Sequence, residues 1–221
     1  MSEIKNAKYL QSIKNCGLFY GIDEKELAGV IKPLDGRIRK YKEGEFIITL
    51  GSELSRAGIV LDGAIESSFQ NENFDNINMH DFTSGDLFAE ALILNGVKES
   101  PVQVSAIKES IILFVDLNKI FEDEGNTSVK LKLAGNLARS LSKKNMIINK
   151  KIRILTQKTL REKILTYLSS SKKNEDGGYT IPLTQTALAE YLAVNRSALS
   201  REIGRMEDDG TIKYVIFRKI K

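Results

Sequence analysis

Residues 183–212 read LTQTALAEYLAVNRSALSREIGRMEDDGTI. Two short helical patterns flank a break at Ala193-Val194-Asn195. In the first, Ala187, Leu188, Ala189, Tyr191 and Leu192 form a small and apolar face, and Thr184 has the chemistry of an N-cap. In the second, Asn195 is placed to cap, and Leu199, Ile203 and Met206 recur at helical spacing and face inward. That leaves Arg196, Ser197, Ser200 and Arg201 on the outer face of the first turns, and Gly210 stops the pattern. This is the layout of a helix-turn-helix, whose second helix enters a major groove N-terminus first. Arginine there can bond guanine bidentately, and serine can contact base or phosphate. The alternative is a helical hairpin whose exposed face carries two arginines, since such hairpins recur in many folds.

Composition favours the first reading. The 221 residues carry a formal charge of +4, unevenly spread. Residues 1–126 hold 13 Lys and Arg against 21 Asp and Glu, a net −8; residues 127–221 hold 20 against 8, a net +12. Between Thr127 and Arg161 there is no acidic residue. A basic second half supplies the nonspecific phosphate attraction on which DNA binding rests, although most of those lysines are expected to be a solvated helix face. Cys16 alone cannot make an intrachain disulfide, and it excludes a thiolate-held iron–sulfur cluster within one chain. His80 is the single histidine, so a multi-ligand Cys/His zinc site is excluded. No apolar run approaches a membrane span of about 18 residues, and MSEIKNAKYL does not read as a signal peptide. A cytoplasmic protein with no membrane contact is expected.

Upstream of the motif the texture changes twice. Glu3 to Leu27 reads as short helices. From Arg37 to Phe114, runs such as Phe46-Ile47-Ile48, Gly58-Ile59-Val60-Leu61, Ala64-Ile65-Glu66-Ser67, Ile77-Asn78-Met79 and Ile111 to Val115 are β-like. Gly44, Gly51, Asp62-Gly63, Asn71-Glu72-Asn73, Ser84-Gly85-Asp86 and Asn95-Gly96 punctuate them, which predicts an antiparallel barrel or roll. A long helix is then predicted from Thr127 to Leu155. Leu131, Ala134, Ala138, Leu141, Asn145, Ile148, Ile152 and Leu155 alternate at spacings of three and four, an a/d seam. Such a seam can be intramolecular core; one this long, with a polar Asn145 inside it, points to a homodimer interface. Leu133 and Leu137 form a second stripe, fit to pack on the chain's own roll. Gln157 to Ser171 reads as a further helix with Leu160, Ile164, Leu165 and Leu168 inward. Lys172 to Gly178 reads as a loop or hairpin tip. Thr211 to Lys221 alternates like a terminal hairpin but lacks the Gly or Asn of a tight turn.

This order resembles the CRP/FNR family of bacterial transcription regulators. Tyr41-Lys42-Glu43-Gly44-Glu45-Phe46-Ile47, then Gly51 and Gly58 to Ile65, is similar to the family's cyclic-nucleotide-binding-like roll, as is Phe82-Thr83-Ser84-Gly85-Asp86-Leu87-Phe88-Ala89-Glu90. Val194 to Glu202 resembles its recognition helix. The resemblance implies an α+β chain: an N-terminal antiparallel β-roll (a double-stranded β-helix) as sensor over 1–126, a dimerisation helix over 127–155, and a winged helix-turn-helix over 156–221. It implies base-reading positions at Arg196, Ser197 and Arg201, a base or phosphate contact at Ser200, and backbone contacts at Thr184 and Gln185. With the cap Asn195, these form the candidate DNA-binding set. Double-stranded DNA, a second copy and RNA polymerase are the implied partners.

The departures bear on the effector. Family members that bind cyclic AMP clamp its phosphate with an Arg-Ser pair, and here that place holds Ser100-Pro101. Ala89 stands where glycine is usual, and between Phe82 and Glu109 the cations are Lys98 and Lys108 alone. Cyclic AMP is therefore not expected as the ligand, and the effector is unassigned; its candidate pocket is Phe88, Ala89, Glu90, Ser100, Pro101 and Asn145. No cofactor is expected. A haem would have to use His80 and Cys16, and a lone histidine among strands is ordinarily a surface or hydrogen-bonded residue. An enzyme is not expected either: neither G-x-x-x-x-G-K-[ST] nor H-E-x-x-H occurs, and every histidine-dependent nucleophile would need His80. The competing function is a ligand-sensing roll that acts on a protein partner, against which the Arg196-to-Arg201 face argues.

Overall fold

The computed structural model describes residues 7–70, 76–122 and 126–218. The turn expected at Asn71-Glu72-Asn73, the first residues of the N-terminal helical stretch and the last three of the tail lie outside them. The chain forms two compact units, Met1–Ser142 and Lys143–Lys221.

The first unit opens with α1 (Ala7–Asn15) and α2 (Glu24–Ile31). Eight strands follow: β1 (Arg37–Tyr41), β2 (Phe46–Ile48), β3 (Ala57–Asp62), β4 (Ala64–Gln70), β5 (Asn76–Thr83), β6 (Leu87–Phe88), β7 (Gln103–Ala106) and β8 (Ser110–Val115). A short α3 (Glu90–Leu94) separates β6 from β7. The strands form two antiparallel sheets, in the orders β1-β8-β3-β6 and β2-β7-β4-β5. Alternation along β3 and β8 explains why their sequences are almost wholly apolar. Val60 and Ile112 point into the core between the sheets, with Ile65, Phe88, Val104 and Ala106. Ile59, Leu61, Leu113 and Val115 point the other way, into a core closed by the helices. Both faces are buried, so neither strand has a polar side. β1 is the opposite case, a charged edge strand (RIRKY) that exposes Arg37, Arg39 and Lys40.

The long helix α4 (Thr127–Leu155) has the expected bounds. Leu133 and Leu137 are buried in the first unit's core, as their stripe implied. Asn136 is buried beside them and donates through Nδ2 to the carbonyls of Leu18 (3.0 Å) and Tyr20 (2.7 Å), which ties the helix to the chain after α1.

In the second unit α5 (Leu160–Ser169) starts later than the pattern suggested. Thr159 and Glu162 form a reciprocal capping box, which sets its first turn. Ile164 and Leu168 face inward as expected, but Leu165 is exposed and Tyr167 takes the inward place. Leu165 lies about 100° round the helix from Ile164, off the buried stripe. Strand β9 (Tyr179–Ile181), α6 (Gln185–Tyr191), α7 (Arg196–Asp208) and β10 (Val215–Phe217) complete the unit. The tail does not fold back on itself. β10 pairs in parallel with β9, Val215 opposite Tyr179 and Phe217 opposite Ile181. A tail without turn residues joins a strand already present. The Tyr214 ring lies where a Cβ on Gly178 would sit, 2.2 Å from its Cζ, and its hydroxyl donates to the Asp176 carboxylate. The loop before β9 and the tail are thus locked together at a glycine.

Candidate nucleic-acid interface

The Thr184 hydroxyl caps α6 by accepting from the Ala187 amide at 3.1 Å. As an acceptor there, it keeps its own proton to donate outward. Ala193 makes the turn with φ of 52°, a left-handed setting that suits glycine better, and Val194 donates back to the Ala189 carbonyl at 3.0 Å. Asn195 then caps α7, its Oδ1 accepting from the Ser197 amide (2.8 Å) and hydroxyl (2.6 Å). Leu188, Ala189 and Leu192 of the first arm pack with Leu199, Ile203 and Met206 of α7 in one core. Burial of that stripe fixes which face is left.

The face left outside carries Arg196, Ser197, Ser200 and Arg201, all exposed. Gln185 is half-buried at the start of α6. The structure thus brings the candidate DNA-binding residues together around the N-terminal turns of α6 and α7. Among the described residues, the side chains of Arg196 and Arg201 make no hydrogen bond or ion pair. The acid beside Arg201 is already taken: Glu202 accepts from Arg161 Nε at 2.7 Å, and Arg205 lies 3.5 Å from its second oxygen. Arg161 also reaches Asp209 at 2.8 Å, and the hydrogen bond to Glu202, followed by that to Asp209, holds its pKa above the ordinary arginine value. Sequence reasoning missed Arg161, although it closes the acid-free run. Lys213 donates to the Asp176 carbonyl at 2.8 Å, beside the Tyr214–Asp176 hydrogen bond.

The seam residues of α4 divide. Leu131, Ile148 and Ile152 are 74%, 59% and 52% exposed on the single chain. Ala138 and Asn145 are exposed too, while Ala134, Leu141 and Leu155 are half-buried. Ala134 and Leu141 pack against the first unit's own core. Asn145 accepts from Asn149 one turn on.

In the roll, the candidate effector residues are largely occupied by the fold. Phe88 is buried and lies against Gly58, where a Cβ would come within 2.1 Å of its ring. Its ring is one of a series through the sheets, with centroid separations of 6.4 Å to Phe114 and 5.7 Å to Phe82. Ala89 precedes α3 at φ of 61°, and Glu90 behind it is buried. Ser100 is buried and donates its hydroxyl to the Val102 carbonyl at 2.6 Å, while Pro101 is exposed. Asn145 belongs to the second unit. Cys16 is buried in the helix-side core; His80 is exposed on β5, edge-on to Phe82. Among the described residues no cluster of His, Cys, Asp and Glu could hold a metal ion, and no helix is long and apolar enough to cross a membrane.

Two family models match the chain in tandem, a cyclic nucleotide-binding domain over residues 38–122 and a Crp-like helix-turn-helix domain over residues 162–221. No curated protein matches it in sequence. Among solved structures it is similar to the cyclic di-GMP-responsive global regulator CLP of Xanthomonas campestris, at 16% identity over 83% of this chain and 93% of that one, with a TM-score of 0.56. It is similar to DNR from Pseudomonas aeruginosa at 17% identity over 90% and 87%, with a TM-score of 0.50. The N-terminal domain of a transcriptional regulator from Streptomyces coelicolor matches 61% of this chain over 94% of its own length, at 17% identity and a TM-score of 0.50. At these identities the likeness is one of fold.

Proposed function

Because the chain, a cyclic nucleotide-binding domain followed by a Crp-like helix-turn-helix, belongs to the CRP/FNR family of transcription regulators, we propose that it is a homodimer that reads a palindromic operator with α7. Arg196, Ser197 and Arg201 read bases, Ser200 contacts base or phosphate, and Thr184 and Gln185 hold the DNA backbone. The observation that carries this reading is the state of the two arginines. Both stand exposed on the N-terminal half of a capped helix, Arg201 opposite its buried stripe and Arg196 on its flank, with no side-chain partner among the described residues. A structural arginine would be paired, as Arg161 is. Residues 1–126 serve as the sensor, 127–155 as the dimerisation helix and 156–221 as the DNA-binding domain. Exposure of Leu131, Ile148 and Ile152 supports the dimer, since three large apolar side chains on one helix are otherwise left in water.

The effector is a small molecule other than cyclic AMP. Ser100-Pro101 supplies no cation, and the Ser100 hydroxyl is already spent on its own chain. The similarity in fold to a regulator described as responsive to cyclic di-GMP makes cyclic dinucleotides a reasonable second probe. RNA polymerase is the proposed protein partner and the cytoplasm the proposed location. Regulators of this family are not enzymes, and no catalytic role is assigned to any residue. Operator selection from random DNA with wild type and Arg201→Ala tests the reading: the variant is expected to relax one symmetric base position and to lose about 1–3 kcal/mol on the true operator. Identical preferred sequences at equal affinity would remove Arg201 from the reading set.

A further inference from the structure

A helix that reads bases must be held in roll as well as in place, because about 10–20° of misorientation spoils a productive contact. The apolar stripe of α7, Leu199, Ile203 and Met206, resists lifting more than it resists rolling. A polar contact that resists rolling lies beside it, in addition to the Val215 amide that donates to Glu207 at 3.0 Å. Arg161, the second residue of α5, donates through Nε to Glu202 Oε1 (2.7 Å) and through Nη1 to Asp209 Oδ2 (2.8 Å). Those acceptors are seven residues apart, about two turns of α7. One guanidinium therefore grips the helix within its length, at Glu202, and at its C-cap, Asp209. Its own base is fixed, because Thr159 and Glu162 cap the turn it stands on. Both acceptors are steadied in turn: Glu202 is only 15% exposed and lies near Arg205, and Asp209 Oδ1 accepts from the Thr211 amide at 3.0 Å. A planar fork fits this task, where an ammonium would hold one point.

We infer that Arg161 is a positioning residue for base readout: it pins α7 at Glu202 and Asp209 and so sets the roll of the face that carries Arg196 and Arg201. Arg161 itself touches no base. The inference rests on the DNA-reading function proposed above, and it makes Glu202 the neighbour through which the setting reaches Arg201.

The test measures the ratio of operator affinity to mixed-sequence DNA affinity for the full chain as wild type, Arg161→Gln, Arg161→Lys, Glu202→Gln and the Arg161→Gln/Glu202→Gln double variant. A residue that acts only on stability would lower the melting temperature and leave that ratio alone. Arg161→Gln is expected to lower the ratio about tenfold while mixed-DNA affinity stays within about threefold, Arg161→Lys to restore part of it, and the double variant to be no worse than the poorer single one. A wild-type ratio in Arg161→Gln, or an equal loss on both DNAs, would overturn the inference; the latter would mark Arg161 as a phosphate contact. If circular dichroism shows Arg161→Gln unfolded at the assay temperature, Glu202→Gln decides, and a wild-type ratio there overturns it equally. A wild type without sequence preference would defeat the DNA-reading function and this inference together. A preference kept unchanged in Arg161→Gln would defeat this inference alone.

Discussion

Replacing Ile148 and Ile152 together with lysine separates a dimer seam from a solvated helix face. On the isolated chain both side chains are slightly more than half exposed. Their loss should barely change monomer stability, within about 0.5 kcal/mol for surface positions, and lysine is the better helix former. In a two-fold dimer the exposed half of each side chain is buried instead. Taking about 1.5–3 kcal/mol for full burial of an isoleucine, half of that is about 0.8–1.5 kcal/mol per side chain. Symmetry places each position in the interface twice, so the double variant should lose about 3–6 kcal/mol per dimer, before any cost of burying the lysines. That weakens the dimer about 10²–10⁴-fold. Sedimentation velocity at micromolar concentration should show a dimer for wild type and a monomer for the variant, with the first unit's melting unchanged. A wild-type monomer, or an unchanged dimer in the variant, would refute the seam.

Other expectations follow from particular contacts. Ala193→Gly should raise the denaturant midpoint of the second unit: relief of a left-handed residue is worth about 1–2 kcal/mol against an entropic cost of about 0.4–1 kcal/mol, so the net gain is at most about 1.6 kcal/mol. Phe88→Ala should destabilise the first unit by about 3–5 kcal/mol by emptying the space beside Gly58, read as an early transition in calorimetry. Asp176 and Tyr214 should give the second unit a pH dependence at both extremes. The Tyr214 hydrogen bond holds the Asp176 pKa below its ordinary 3.8, so its contribution is present above that value and lost as pH falls through the lowered one. The same bond raises the Tyr214 pKa above its ordinary 10.0, so that contribution is present below it and lost as pH rises through the raised value. Tyr214→Phe should flatten both limbs in urea titrations from acid to alkaline pH.

Where local pattern and tertiary environment agree, residues told the structure directly. The α4 bounds followed from an unbroken seam, and the caps of α6 and α7 from Thr184 and Asn195. The doubly buried β3 and β8 showed as apolar runs. Environment decided the rest. β1 and β7 (QVSA) carry too few apolar residues to stand out, and they are strands because β8, β2 and β4 offer them pairing edges. Leu165 looked inward by type, yet the stripe through Ile164, Tyr167 and Leu168 left it outside. The tail alternated like a hairpin, but its partner is β9, more than thirty residues earlier. Arg161 and Glu202 are 41 positions apart, so no local pattern announces their contact.

A crystal structure of the full chain on its selected operator tests the central claim most directly. Two copies related by a two-fold axis are expected, with α7 of each in successive major grooves about 34–36 Å apart. Arg201 should lie within hydrogen-bonding distance of guanine O6 and N7, and the Thr184 hydroxyl against a phosphate. A complex in which α7 stands clear of the major groove, or in which Arg196 and Arg201 turn back onto the protein, would contradict it.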